Sequence, residues 1–97
     1  MPRMDRVTQA VRILTLEYCT TQHSASFLRR LKDGEIPDGE AAIVASCLIQ
    51  YFTGHRSMDL LTESLGTLGI PTDTVSAVVQ GLHSAFHELS SPSEPLH

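Results

Sequence analysis

Two histidines four residues apart, His83 and His87, are the first residues whose spacing suggests chemistry. On a helix such positions share a face, so both imidazoles can reach one metal ion. A zinc-protease helix carries Glu directly after its first His, and here Ser84 stands in that place. Zinc also takes three or four ligands, and no cysteine pair lies close in sequence to complete a set. His23 and His55 would join only through the fold. The pair is read as flanking the apolar stripe of a half-exposed helix, and no metal site is expected.

The other reactive residue types fare similarly. Cys19 and Cys47 are the only cysteines. Each lies in an apolar, helix-patterned stretch, where burial raises the thiol pKa, whereas a nucleophilic thiol needs a helix N-terminus or a nearby cation. Both are expected to be buried and reduced, as in a reducing compartment. Asp33, Glu35, Asp38 and Glu40 gather in a loop and a helix start, but Ile36 and Pro37 interrupt the alternating oxygen ligands of a calcium loop. Gly66, Gly69 and Gly81 lack the Lys-Ser and the preceding strand of a phosphate loop. Ser91-Pro92 is a minimal acceptor sequence for a proline-directed kinase. No catalytic residue and no cofactor are expected.

Charge excludes a further class. The net charge is −4 and the pI near 5.6, whereas phosphate backbones are held by clustered Lys and Arg. Arg29, Arg30 and Lys32 are the best local candidate, and Asp33 and Glu35 dilute them at once. No nucleic acid is expected as a partner. Met1–Arg6 is polar, with no apolar segment of a signal peptide behind it. The longest apolar run, Ala41–Phe52, is too short to span a bilayer and contains Ser46 and Gln50. A cytoplasmic protein without membrane insertion is expected.

These residues must be positioned by helices. A length of 97 residues suits one domain, and an apolar fraction of 41% suits a folded one. Five aromatics and no Trp leave a core of Leu, Ile, Val and Ala. Val7, Val11, Leu14 and Tyr18, with Ala10 and Ile13 beside them, recur at helical spacing from Asp5 to about Tyr18, with Asp5 as cap. After the polar run Thr20–Ser24, a short helix from Ser24 or Ser26 to Lys32 buries Phe27, Leu28 and Leu31. Asp33–Gly39 is a loop.

Asp38 is expected to cap a third helix, Gly39 to Thr53, apolar on most sides and hence central. Gly54 ends it, and Ser57 caps a fourth helix burying Leu60, Leu61, Leu65 and Leu68. Gly69 and Pro71 separate it from a fifth, capped by Thr72, that buries Val75, Val78, Val79, Leu82, Phe86 and Leu89. No segment alternates as a strand does. The expectation is an all-α bundle of about five helices over residues 5–89, with an extension at 1–4 and a loose tail at 90–97. If the domain binds proteins, the apolar residues just off the stripes, Leu16, Met58 and Ile70, are candidate contacts.

One stretch adds a family. Ala42-Ile43-Val44-Ala45-Ser46-Cys47-Leu48-Ile49-Gln50, a polar joint, Leu60-Leu61-Thr62-Glu63-Ser64-Leu65-Gly66-Thr67-Leu68-Gly69-Ile70-Pro71 and a helix from Thr72 resemble the N-terminal helical domain of COMM-domain proteins. In that family a helix ending in Leu-Gly-Leu/Ile-Pro hands over to a last helix in much the same way. Phe27-Leu28-Arg29-Arg30-Leu31 and the Val7–Tyr18 helix fall in matching places, so the likeness covers roughly residues 5–90. These motifs are hydrophobic pattern and turn chemistry. The family's C-terminal domain carries a Trp-Arg-Val-Asp-like strand, and this chain has no Trp, so the dimerisation that domain provides is not carried over. The resemblance implies a non-enzymatic scaffold role in endosomal cargo recycling, endosome association, and COMM-family and coiled-coil subunits as partners. The alternative is a small helical regulator holding a metal or ligand in its bundle through His83 and His87.

Overall fold

The computed structural model describes residues 3–54 and 56–90. Among them all regular structure is helical: α1 Arg3–Thr21, α2 Phe27–Asp33, α3 Asp38–Gly54, α4 Met58–Thr67 and α5 Thr72–Ser90. Each helix packs on the next in the chain, and α5 closes back on α1, so the helices form a ring around one core. The radius of gyration, 13.1 Å, is that of a packed chain of this length and not of an extended stack. No described helix is long and apolar enough to cross a membrane.

The most extensive helix contact joins α1 and α5. Gly81 permits it: a Cβ there would lie 2.7 Å from the Thr8 carbonyl oxygen and 2.7 Å from Val11 Cβ. Val7, Val11 and Leu14 on α1 and Val78, Leu82 and Ala85 on α5 are buried along this seam. Thr15 is buried within it, its hydroxyl satisfied by donating to the Val11 carbonyl at 2.7 Å. The apolar composition of α3 led to the expectation of a central helix, and the structure corrects it. Helix α3 packs on α2 and α4, and its outer face, Ala42, Ser46, Gln50 and Thr53, is exposed. Its small residues satisfy a hydropathy pattern without requiring neighbours on every side.

The C-terminal end of α3 does reach across the ring. Phe52 stacks on Tyr18 with ring centroids 4.7 Å apart and meets Phe27 edge-on at 5.8 Å, while Tyr51 lies 6.3 Å from Phe86. All five aromatics thus form one chain of ring contacts through α1, α2, α3 and α5, at distances typical of favourable pairs.

Helix ends follow the expected residues with shifted roles. Helix α1 runs on past Tyr18 to Thr21, since the Thr20 and Thr21 hydroxyls donate back to the Leu16 and Glu17 carbonyls. It stops where Gln22 takes φ 63° and its N–H returns to the Tyr18 carbonyl. Ser57 caps α4, accepting the Leu60 N–H at 3.2 Å. Asp5, Asp38 and Thr72 are not caps but lie in the first turns of α1, α3 and α5. The carbonyls of Pro37 and Pro71 accept the first helical N–H groups of α3 and α5 instead, from Ala41 and Val75.

Four leucines expected in the core are on the surface: Leu28, Leu60, Leu68 and Leu89. Val79 and Phe86 are half-buried. Cys47 is buried, and burial pushes its thiol pKa up. Cys19 is exposed, contrary to expectation. It follows Tyr18 on α1 and falls about a third of a turn off the Val7–Val11–Leu14–Tyr18 stripe.

Candidate functional site

A surface groove of about 390 Å³ lies between α1 and α2. Its floor is Ala10 and Ile13 of α1, and its walls are Asp5, Arg6 and Gln9 on one side and Arg30, Asp33 and Gly34 on the other. Two features of the sequence create it. Helix α2 spans only seven residues and covers α1 for less than two turns. At its end Gly34 settles onto α1, where an added Cβ would lie 2.9 Å from Ala10 Cβ and 3.1 Å from the Arg6 carbonyl oxygen. Beyond that contact Ile13 is left half-buried.

The cations of the rim are engaged within the domain. Arg30 grips Glu17, with Nε 3.2 Å from Oε1, and Ser26 donates to the same oxygen at 3.2 Å. Arg6 pairs with Glu35 just past the end of α2. The hydrogen bonds from Arg30, together with its charge and the Ser26 hydroxyl, hold the Glu17 pKa below its ordinary value against some desolvation. The Arg30 pKa is correspondingly raised, first by that hydrogen bond and then by the charge of Glu17. On the opposite side of α1, Arg12 pairs with Glu88 of α5 at 2.7 Å. Each of these pairs joins α1 to another element, so α1 is clamped in register on both flanks. As partly exposed pairs they contribute about 0–1 kcal/mol each.

No histidine, cysteine or hydroxyl nucleophile lines the groove. It offers apolar surface for contact, flanked by the carboxylates of Asp5 and Asp33. His83 and His87 are both exposed on α5, outside the bundle interior where a ligand-holding pair would need to be. Among the described residues no three His, Cys, Asp or Glu side chains gather at metal-binding distance. His55 and Ser91 lie outside the described residues.

The expected partner contacts divide. Leu16 and Met58 are half-buried, Met58 packing on the core cluster. Ile70 is core, at 5% exposure, because its N–H returns to the Leu65 carbonyl and folds its side chain inward. It offers a partner almost nothing. Sequence reasoning missed the groove: its walls come from segments more than fifteen residues apart, and Arg30–Glu17 and Arg6–Glu35 have no local signature. The one usable hint was Gly34 following a very short helix. Comparison with protein-family models, curated proteins and solved structures finds no match to this chain.

Proposed function

We propose that this chain is a non-enzymatic helical protein-interaction domain, serving a scaffold of the kind that COMM-domain proteins provide in endosomal cargo recycling. The observation that carries the interaction reading is the α1–α2 groove. Its floor is apolar, its arginines are neutralised internally, and no histidine, cysteine or hydroxyl side chain lines it. Such a surface gains free energy by excluding water from Ala10 and Ile13 when a partner's apolar side chain enters. The trafficking assignment rests on the resemblance of residues 5–90 to the helical half of that family.

Affinity purification of the chain from cells, beside an Ile13→Asp variant shown by circular dichroism to fold, tests both parts. Recovery of coiled-coil or COMM-family proteins by the parent, and about tenfold less by the variant, is the expected result for an anchor pocket. Recovery of neither class would overturn the trafficking assignment. Equal recovery by parent and variant would overturn the groove.

A further inference from the structure

Two residues other than glycine carry a left-handed φ among the described residues, and they bracket α2: Gln22 at 63° before it and Glu35 at 69° after it. Such backbone is unfavourable for a residue with a Cβ, so both joints hold strain that the rest of the fold must maintain. Helix α4 likewise buries two of its residues, but Ser57 caps its start and Gly69 takes the left-handed position past its end. Helix α2 has neither support. Ser26 stands at its N-cap position, and its side chain caps no backbone N–H.

The two ends of α2 are attached differently. At the C-terminal end Gly34 is seated on Ala10, Ile36 is buried beyond it, and the Lys32 ammonium lies 3.7 Å from Asp38 of α3. At the N-terminal end the side-chain hydrogen bonds converge on Glu17 of α1. The Ser26 hydroxyl and Arg30 Nε both donate to Glu17 Oε1, each at 3.2 Å, and Arg30 also takes the second carboxylate oxygen. Among the described residues no hydrogen bond or ion pair joins residues 24–30 to α3. What else holds this end is apolar: Phe27 is buried, its ring 5.8 Å from those of Tyr18 and Phe52.

We propose that α2 is a hinged strap that detaches from α1 and α3 about Gly34–Glu35 while the other helices stay packed, and that Glu17 is the latch holding it closed. Detachment removes Arg30 and Asp33 from the wall of the groove and uncovers Tyr18 and Phe52, so the groove has both walls only in the closed form. Burial of Phe27 and Leu31 keeps the open form a minority, and release of the left-handed turn at Gln22 offsets part of that cost. Detachment also frees the α2 amides to exchange, because seven residues do not hold a helix alone in water. The motion is a property of the chain, whatever occupies the groove.

Amide hydrogen exchange of the full 97-residue chain, followed residue by residue by NMR at low denaturant, tests this. The Arg30, Leu31 and Lys32 amides are expected to exchange as one group, about tenfold or more faster than amides at the centres of α1 and α5, and with a weaker dependence on denaturant. Glu17→Gln should speed that group about fivefold at neutral pH. Val78→Ala, in the α1–α5 seam, should speed exchange at the centres of α1 and α5 and leave the α2 group unchanged, because the seam stays packed while the strap is open. Exchange of α2 at the rate and denaturant dependence of α1 and α5, or a graded loss of protection along α2, would overturn the strap. An α2 group that follows Val78→Ala in step with α5 would do the same, and indifference to Glu17→Gln would remove the latch. Should Val78→Ala fail to fold, the rates and denaturant dependence of the parent decide.

Discussion

The joints leading into α3 and α5 are built on one plan and part ways at the residue that takes the left-handed turn. In Leu31–Pro37 the Ile36 N–H returns to the Leu31 carbonyl at 3.2 Å, and the Glu35 N–H to Lys32 at 2.9 Å. In Leu65–Pro71 the Ile70 N–H returns to Leu65 at 3.1 Å, and the Gly69 N–H to Gly66 at 3.1 Å. Both are Schellman ends: two reversed hydrogen bonds, a buried Leu–Ile contact across the turn, and a proline that prevents the helix from continuing. The plan demands a left-handed residue just past the helix. Gly69 takes it at φ 91°, without a side chain to clash, while Glu35 takes it at φ 69°. A side chain there costs about 1–2 kcal/mol. The strained joint is the one beside the groove, and the strained residue is the one whose carboxylate reaches Arg6 on the groove's rim. Strain at the α2 end is thus coupled to a tether onto α1, and the relaxed joint at the α4 end has no such tether.

The largest expected effect tests what the joints share. Ile36→Ala and Ile70→Ala each remove a buried side chain from the turn and should each cost about 3 kcal/mol in chemical denaturation. A silent result at either would show that its Leu–Ile contact is not part of the plan. Next comes what separates them. Gly69→Ala should destabilise by about 1–2 kcal/mol, since no atom lies near but the backbone angle resists a Cβ. Glu35→Gly should instead stabilise by up to about 1 kcal/mol, the relief of the turn exceeding the loss of an exposed ion pair. If Glu35→Gly were destabilising, the Arg6 tether would be stronger than exposed pairs usually are.

The smallest effect concerns the other tether on the groove's wall. Because Arg30 depresses the Glu17 pKa below 4.5, this carboxylate contributes stability that is fully present above pH 4.5 and lost as pH falls through the lower, folded value. Unfolding midpoints of Glu17→Gln followed into acid should therefore converge toward those of the parent below that window. A constant difference across the whole range would show that Glu17 acts through packing and not charge.

Much of the fold was legible because helices announce themselves through intervals of three and four, and through Gly, Pro and Ser at their ends. The five elements, the Ser57 cap and the Gly69–Pro71 stop were read from local residues and are where they were expected. Leu60 and Leu68 were misplaced for a definite reason. Leu60, Leu61 and Leu65 of α4, with Leu68 just past its end, describe a stripe wider than the neighbouring helices cover, and periodicity cannot report how much of it they reach. Cys19 was misread because an apolar neighbour in sequence, Tyr18, points a third of a turn away from it. The groove was not legible at all, since it is a gap left by a short helix and closed at one end by a glycine meeting a distant alanine.

The sequence by itself determined the five helices, their order, the centre of each buried stripe and the two proline joints, because each is set by interactions within about one helical turn. Tertiary structure alone decided the rest. The Gly81 contact sets the close approach of α1 and α5, α3 sits at the edge of the ring with an open face, and Leu28 of α2 and Leu60 of α4 remain outside. Those outcomes depend on which helix faces which, and that is settled by the sum of many weak contacts between residues far apart in the chain.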